Sequence, residues 1–262
     1  MDLSERETMN CAAYSTPIVR PNDDLLQLIF AAIPQLSERS VLCITSKIVA
    51  LCEGAVVPIK FGTREEKHAL VAQDAEHYLP PDKSKYDLML TIKHQTLAVN
   101  AGIDESNVSG VYALLPRDPN KTAATVWQAL RKQYGLQEVG VVITDSKSIP
   151  VKWGAIGTAI GHCGFVALNS HIGEPDLFGR KLQITQVNVA ESLAAVGTYV
   201  MGESAERQPL AVIQAAPRVV FQDRPPTVSE IAELVIALED DVYAPLLQAV
   251  NWQQHASHKH QK

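Results

Sequence analysis

The fold is organised around the stretch Val139-Gly-Val-Val-Ile-Thr-Asp-Ser-Lys-Ser-Ile-Pro-Val-Lys-Trp-Gly154. Residues 139–144 are small or β-branched and uncharged, a pattern typical of a strand that is buried on both faces. We expect this strand to end at Asp145-Ser-Lys147 and the chain to turn away at Pro150. A strand end holds side chains in fixed positions, so a carboxylate, a hydroxyl and an ammonium at this point indicate a ligand site.

Length and composition limit the class of protein. The chain has 262 residues, of which 46% are hydrophobic and 20% charged, as in an ordinary soluble protein of one large or two modest domains. A net charge of −6 argues against a nucleic-acid binder, which would normally present a basic face. The sequence has neither an apolar run of the ~18 residues that a membrane span needs nor a signal-like N-terminus, so a cytoplasmic protein is expected. The four cysteines include no Cys-x-x-Cys pair, which argues against a zinc site.

Apolar periodicity predicts an alternation of helices and strands along the chain. Helices are expected at 25–33, 64–78, 122–134, 188–201 and 227–238, and further strands at 40–45, 55–59, 88–92, 96–99, 112–116 and 209–213. The pattern indicates mixed α/β layers, and the hairpin expected at 88–99 argues against a simple doubly wound sheet. Residues 1–15 and 255–262 are polar and are expected to be flexible termini.

Polar clusters follow several of these apolar elements. They are Thr45-Ser-Lys47, residues 104–107, Asp145-Ser-Lys147 and Gly202-Glu203. Carboxylate and hydroxyl oxygens suit Mg²⁺ or Mn²⁺, which gathers nucleotide phosphates, and lysines add positive charge for the same groups. The set therefore favours phosphoryl transfer. The Gly-x-Ser-x-Gly elbow and both glycine-rich phosphate motifs are absent, so a nucleotide would have to be held in another way.

Each of these residues also has a purely structural interpretation. Asp104 could form a turn that caps its own backbone, and Asp145 could cap a helix. Lys47 and Glu203 could be solvated surface charges. His162 lies in an apolar, glycine-rich run, which favours a packed core position over a metal ligand.

Several short motifs then occur in a characteristic order. They are Ile44-Thr-Ser-Lys-Ile-Val49, Glu53-Gly54, Asn100-Ala-Gly-Ile-Asp-Glu-Ser-Asn107, Leu114-Leu-Pro-Arg-Asp-Pro119, Val142-Ile-Thr-Asp145, Ala159-Ile-Gly161, Asp176-Leu-Phe-Gly179 and Val200-Met-Gly202. With these motifs in this order, the chain resembles the coenzyme F420-0:γ-glutamyl ligase family, F420 being a deazaflavin cofactor. The resemblance covers roughly residues 16–213.

The resemblance implies an α+β fold with mixed and antiparallel sheets that forms an intertwined homodimer. By this resemblance, residues 16–215 form two interleaved subdomains and residues 216–254 a C-terminal helical extension.

The resemblance also implies an amide-forming ligase. Family members use GTP and a divalent metal, Mg²⁺ or Mn²⁺, with K⁺ as a further candidate ion. They activate a carboxylate of the acceptor as an acyl phosphate, which the amine of L-glutamate then attacks to form a γ-glutamyl link. The expected partners are L-glutamate and a carboxylate-bearing small molecule, with no nucleic acid or membrane. Whether that acceptor is coenzyme F420-0 or a folate-like pterin stays open.

Individual residues inherit roles from the same resemblance. The implied metal ligands are Asp104, Asp145, Ser146 and Glu203. The implied nucleotide contacts are Pro17, Ile18, Val19, Arg20, Ser46, Lys47, Asn107, Met201 and Gly202. Catalytic roles are expected of Asp145 and of Lys147 and Lys152, two lysines of a run that departs from the family pattern and where the acceptor's identity is expected to be decided.

The sequence also departs from the family pattern. Leu51 stands where the family has a lysine, Gly157 where it has an aspartate, and Glu191-Ser192 where it has an Asp-Glu pair. The run from Ser146 to Lys152 differs as well. These departures fit a bacterial branch similar to proteins proposed as γ-glutamyl ligases of folate metabolism. They leave open a non-catalytic protein that binds GTP or a metabolite, and a metal-dependent phosphohydrolase.

Overall fold

The computed structural model describes residues 8–94 and 96–255. Its fold is α+β with mixed and antiparallel sheets, as the sequence predicts. Among the helices of the described residues, none is long and apolar enough to cross a membrane. The flexibility expected of residues 1–7 and 256–262 lies outside the described residues.

Strands and helices alternate along the chain. The strands are β1 (Asn10–Tyr14), β2 (Ser40–Thr45), β3 (Val56–Pro58), β4 (His77–Tyr78), β5 (Leu90–Lys93), β6 (Thr96–Val99), β7 (Val111–Ala113), β8 (Val139–Ser148), β9 (Ala155–Cys163), β10 (Leu168–Ser170), β11 (Gln186–Asn188) and β12 (Leu210–Gln214). The helices are α1 (Leu25–Ala32), α2 (Ser46–Cys52), α3 (Arg64–Asp74), α4 (Pro119–Tyr134), α5 (Val189–Met201), α6 (Val228–Ala232) and α7 (Ala244–Leu247).

The main sheet has five strands in the order β1-β12-β2-β8-β9. The β2–β8 pair is parallel and the other pairs are antiparallel. One face packs against α1 and α4 in a core that includes Ile29, Trp127 and Ile143. The other face packs against α5 around Val142 and Leu193. Burial on both faces explains the continuous apolar sequence of β2 and β8.

A smaller lobe lies between α2 and α4 in sequence. It contains α3, the β3–β7 pair and the β4-β5-β6 sheet, and its separate core includes Val71, Met89, Ile103 and Tyr112. The hairpin expected at 88–99 is confirmed as β5 and β6. This lobe therefore has a hydrophobic core of its own beside the main sheet.

Strand β8 is longer than the sequence predicts. Its pairing with β2 ends at Thr45 opposite Thr144, but its pairing with β9 continues as far as Ser148 opposite Ala155. The sequence predicts that the strand ends at residues 145–147, but Asp145 lies within it. It lies where β8 leaves the central sheet and continues with β9 as a two-stranded ribbon.

The expectation that residues 1–15 are flexible is wrong for residues 10–14. They form β1, which pairs with β12 from Asn10 opposite Gln214 to Tyr14 opposite Leu210. The strand covers the edge of β12, whose backbone groups would otherwise lack partners.

The C-terminal segment is less helical than expected. The helix predicted at 227–238 is reduced to α6, which begins with a capping box formed by Thr227 and Glu230. The chain then returns to the smaller lobe, where the backbone N–H groups of Tyr78 and Gln253 each donate to the other's carbonyl at 2.9 Å.

Candidate active site

The parallel pairing of β2 and β8 brings two polar clusters together. Ser46 begins α2 directly after β2, and its Oγ donates a hydrogen bond of 2.8 Å to Oδ1 of Asp145 on β8. Desolvation raises the pKa of Asp145, and the nearby negative charge of Asp104 adds to the shift. The hydrogen bonds from Ser46 and from the Ser146 backbone act in the opposite direction without cancelling it.

Asp104 reaches the same place from the smaller lobe. The ammonium of Lys47 lies 2.5 Å from its Oδ2. The backbone N–H and the hydroxyl of Ser106 also donate to its carboxylate, each at 2.8 Å. Partial burial raises the pKa of Asp104, but the hydrogen bonds from Lys47 and Ser106 outweigh it, so the pKa lies below its ordinary value.

A left-handed turn sets the position of Asp104. Asn100, Ala101 and Gly102 have φ angles of 53°, 54° and 71°, and a Cβ on Gly102 would lie 2.7 Å from the Leu115 side chain. The Asn100 side chain accepts a hydrogen bond of 2.9 Å from the Met89 backbone, which helps to hold this unfavourable conformation. The smaller lobe thus fixes the backbone that precedes Asp104.

Ser146 and Glu203 form a second polar pair. Ser146 Oγ donates to Glu203 Oε1 at 2.8 Å, and Glu203 follows directly after the end of α5. Successive strand residues face opposite sides of a sheet, so Ser146 and Asp145 project to opposite sides of β8. Near Glu203, the Asn107 side chain donates to the Ser204 carbonyl at 2.8 Å, which ties the Asp104 segment to the loop after α5.

The two lysines predicted to be catalytic lie farther along β8 and its turn. Lys147 Nζ is 3.5 Å from Glu191 Oε2, and the other oxygen of Glu191 accepts a hydrogen bond of 2.7 Å from Thr158. Lys152 is exposed in the turn between β8 and β9. Its side chain makes no hydrogen bond or ion pair with any other predicted site residue that the structure describes. The structure therefore leaves Lys152 apart from the Asp104–Asp145 pair.

The predicted nucleotide-contact residues differ in their exposure. The segment containing Pro17, Ile18, Val19 and Arg20 lies outside regular secondary structure; Ile18 is 70% exposed, whereas Val19 packs against the main core. Met201 is the last residue of α5, and its side chain is buried in the core between α5 and the main sheet. It could therefore contact a ligand only through its backbone. Adjacent Gly202 has a φ of 82° and ends α5.

The oxygen donors of the site have the chemistry that a divalent metal ion prefers, although their present arrangement does not gather them around one point. Within residues 8–94 and 96–255, no three His, Cys, Asp or Glu side chains are gathered closely enough to hold a metal. The negative charge of Asp104 nevertheless raises the pKa of Asp145, a mutual repulsion that a bound cation would relieve. The oxygens of Asp104, Asp145, Ser146 and Glu203 are also the ligand type that Mg²⁺ and Mn²⁺ prefer.

Sequence reasoning gives two contributors to the site no role of their own, although it places Ser106 in the cluster 104–107 and allows for a turn capped by Asp104. Ser106 holds Asp104 with two hydrogen bonds, and its spacing two residues after an aspartate is the signature of an Asx turn. Glu191, which contacts Lys147, appears in the sequence only as a departure from the family pattern. Its contact with β8 depends on how α5 packs, which no local signal reveals.

Comparison with known proteins identifies the same family as the sequence motifs. Residues 14–215 match the family model described as F420-0:Gamma-glutamyl ligase. A coenzyme F420:L-glutamate ligase of Methanococcus maripaludis is 31% identical over 256 residues, covering 92% of this chain and 99% of the relative. Ligases of the same description from Methanothermobacter thermautotrophicus and Methanocaldococcus jannaschii are 32% and 29% identical, over 77% and 82% of this chain. The two alignments cover 86% and 90% of the length of those relatives.

Proposed function

The chain belongs to the F420-0:gamma-glutamyl ligase family, and we propose on that premise that it joins L-glutamate to a carboxylate of a small-molecule acceptor. The nucleotide would be GTP, and the acceptor carboxylate would be activated as an acyl phosphate before the glutamate amine attacks it. The observation that carries the proposal is the meeting of Asp104 and Asp145, from two separate lobes, beside Ser46 and Lys47.

In this proposal Asp104 and Asp145 hold one divalent ion, and Ser146 and Glu203 contribute to a second. Bound Mg²⁺ or Mn²⁺ would neutralise phosphate charge and so permit a carboxylate to approach the nucleotide. K⁺ remains a further candidate ion.

Lys47 has a separate role in the proposal. Its ammonium forms an ion pair with Asp104 at 2.5 Å. Once a divalent ion compensates the charge of Asp104, Lys47 would instead pair with a phosphate of the nucleotide. The backbone of residues 17–20, the Asn107 amide and Met201-Gly202 would contact the rest of the nucleotide.

The basic residues along β8 would orient the acceptor. Lys147 is held by Glu191 beside Ser146, and Lys152 projects from the turn that follows. Two ammonium groups there suit an acceptor with more than one acid group, which describes both F420-0 and a folate-like pterin. The proposal therefore covers both acceptors.

A homodimer is part of the same proposal. Large apolar side chains are exposed on the turn after β8 and on the loop after β10, including Trp153 at 91%, Leu177 at 99% and Phe178 at 86%. Exposed apolar patches of this kind are typical of protein–protein interfaces. A second copy of the chain would cover them.

The test is a matrix of acceptors incubated with GTP, Mg²⁺ or Mn²⁺ and labelled L-glutamate. Mass spectrometry should show an acceptor carrying one or more added glutamates, and phosphate release should require metal, glutamate and acceptor together. Asp145→Asn should abolish the product, whereas Asp240→Asn, which changes an exposed carboxylate of the C-terminal segment, should leave it unchanged.

Other results would identify the alternatives. GTP hydrolysis that does not depend on glutamate would support a phosphohydrolase. Nucleotide binding without turnover under any acceptor would support a non-catalytic binding protein. If calorimetry detected no binding of GTP or GDP in the presence of metal, the proposal would be wrong.

A further inference from the structure

The C-terminal residues Gln253 and Gln254 hold the edge of the smaller lobe. The backbone N–H groups of Tyr78 and Gln253 each donate to the other's carbonyl at 2.9 Å, and Nε2 of Gln254 lies 2.7 Å from Nε2 of His77. Strand β4 has only two residues and pairs with β5 on one side, so Gln253 occupies its other edge. A strand this short gains little stability from one neighbour, which makes the C-terminal contact important for its order.

The segment that leads to Gln253 is attached to the main sheet at its other end. The Val220 carbonyl accepts from the Val166 N–H at 2.8 Å, and the Gln222 N–H donates to the Gly164 carbonyl at 2.9 Å. Between these contacts and Gln253, neither α6 nor α7 contains a buried residue. Residues 224–251, called the strap below, therefore connect the two lobes chiefly through their ends.

A continuous series of contacts leads from Tyr78 to the turn before Asp104. Tyr78 lies opposite Thr91 in the pairing of β4 with β5. The Thr91 side chain is fully buried, and its Oγ1 accepts from the Ala101 N–H and donates to the Ala98 carbonyl, each at 2.8 Å. Ala101 is the middle residue of the left-handed turn. The strand beside β4 thus supplies the hydroxyl that holds this turn.

The left-handed turn needs such support. Asn100 and Ala101 are not glycines, and their φ angles of 53° and 54° persist only where the surroundings hold them. Two residues later, Asp104 exchanges backbone hydrogen bonds of 3.0 and 2.8 Å with Ala113. A change that loosens β5 should therefore release the turn and alter the position of the Asp104 carboxylate.

We propose that Gln253 is a positioning residue for Asp104. Its backbone pair with Tyr78 holds β4 against β5, and β5 holds the turn that precedes Asp104. The inference rests on the proposed function, in which Asp104 binds a divalent ion, and it gives the strap a part in the active site from which it is otherwise remote in sequence.

Hydrogen exchange measured by mass spectrometry on the full chain tests the proposal. Gln253→Pro removes the N–H that donates to Tyr78, because proline has none. Gln253→Ala is the matched control, since it removes the exposed side chain and keeps the N–H. The amides of residues 100–104 should exchange about 10-fold faster in the proline variant, the effect of one or two lost hydrogen bonds, and at the wild-type rate in the alanine variant. The amides of β2 and β8 should be unchanged in both.

A second pair of variants tests the route through Thr91. Thr91→Val removes the hydroxyl that holds Ala101, whereas Thr91→Ser keeps it and should behave like the wild type. If Gln253 acts through Thr91, adding Gln253→Pro to Thr91→Val should accelerate exchange at residues 100–104 less than it does in the wild type. Because Gln253 is exposed, its own two variants decide the proposal even if Thr91→Val does not fold.

Three exchange results would overturn the proposal. The first is faster exchange confined to residues 77–79 in Gln253→Pro, which would show that the contact acts only locally. The second is an equal effect of Gln253→Pro and Gln253→Ala. The third is full additivity of Gln253→Pro and Thr91→Val, which would place the two residues on separate routes.

Turnover measurements separate this inference from the proposed function. Gln253→Pro should raise the Mg²⁺ concentration for half-maximal phosphate release about 3- to 10-fold and leave kcat at saturating Mg²⁺ unchanged. If Asp104→Asn impaired Mg²⁺ binding but Gln253→Pro did not, Gln253 would not position Asp104 for the ion. If exchange changed as expected but the wild type bound no Mg²⁺ or Mn²⁺, the proposed function alone would be wrong.

Discussion

Asp104 and Asp145 are the same residue type at the same site, but the regions that carry them differ. Asp145 lies on β8 directly after the part of the strand that is buried between layers of helices, where β8 leaves the central sheet and stays paired with β9. Asp104 follows a left-handed turn in the smaller lobe, and a lysine and a serine hold it in place. The pKa of Asp145 is raised by desolvation, whereas the ion pair and hydrogen bonds of Asp104 lower its pKa despite partial burial.

Because of this difference, the two aspartates would contribute differently to binding a cation. Asp104 is ionised over a wide pH range, but Lys47 already compensates its charge. Asp145 ionises at a higher pH than an ordinary aspartate, because burial and Asp104 both disfavour its charged form. A cation bound beside Asp145 should therefore lower the pKa of its carboxyl group back towards the ordinary value.

The largest expected effect comes from removing the charge of Asp145. Asp145→Asn preserves the size of the side chain and a hydrogen-bond acceptor for Ser46, but it removes a ligand charge. We expect phosphate release to fall by roughly 10²- to 10³-fold, as when one preorganised electrostatic group is lost from an active site. Steady-state assays with saturating GTP, metal and acceptor measure this, and activity within a few-fold of the wild type would show that Asp145 does not act on the reacting groups.

The turn before Asp104 can be disrupted without changing any charge. Gly102 and Gly110 both have φ near +70°, but a Cβ at Gly102 would lie 2.7 Å from Leu115, whereas a Cβ at Gly110 would have open space. Gly102→Ala should lower the free energy of unfolding by about 2–4 kcal/mol, and Gly110→Ala by about 1 kcal/mol. Urea denaturation measures both, and equal losses would show that packing against Leu115 does not constrain the turn.

The main sheet was the more predictable region. The apolar runs of β2, β8 and β12 identify buried strands because such burial requires apolar residues on both faces. Two features of the sheet depend on distant partners and have no local signal. The extension of β8 to Ser148 depends on β9, and β1 forms because β12 offers it an edge.

The candidate site was predictable as a set of residues but not as an arrangement. Polar groups after apolar strands, together with a family resemblance, are enough to identify Asp104, Asp145 and Lys47. The resemblance does not reveal that Lys47 pairs with Asp104, nor that Asp145 and Ser146 project to opposite sides of one strand. The first fact follows from how the smaller lobe packs on the main sheet, and the second from the continuation of β8 beyond Thr144 beside β9. Local residue patterns encode neither contact.

The raised pKa of Asp145 has a consequence for stability that the Asn variant can measure. Below its ordinary pKa the carboxyl is protonated in both the folded and the unfolded state and has no effect. As the pH rises from the ordinary value through the raised one, the unfolded state loses its proton first and the folded state is destabilised. Metal-free Asp145→Asn should therefore melt about 2–4 °C above the wild type at pH 8, and the difference should vanish at acidic pH.

Added metal should reverse that order. Mg²⁺ should raise the melting temperature of the wild type at pH 8 and have little effect on Asp145→Asn, because the variant lacks the charge that the ion compensates. The exposed substitution Asp240→Asn should respond like the wild type. If both the wild type and Asp145→Asn gained equal stability from Mg²⁺, the ion would be binding elsewhere.

The smallest expected effects come from the serines that hold the two aspartates. The hydrogen bond from Ser46 lowers the pKa of Asp145, so Ser46→Ala should raise that pKa further and shift the acidic limb of the pH profile of kcat/KM to higher pH. Activity on the acidic limb should fall about 3- to 10-fold, in proportion to one lost hydrogen bond, and should recover at higher pH. Ser106→Ala removes the hydroxyl hydrogen bond to Asp104 but leaves the ion pair between Asp104 and Lys47. The acidic limb of the pH profile of this variant should therefore match that of the wild type. If the two variants shifted the profile equally, the two aspartates would titrate as one coupled pair, and the division of roles between the two regions would be wrong.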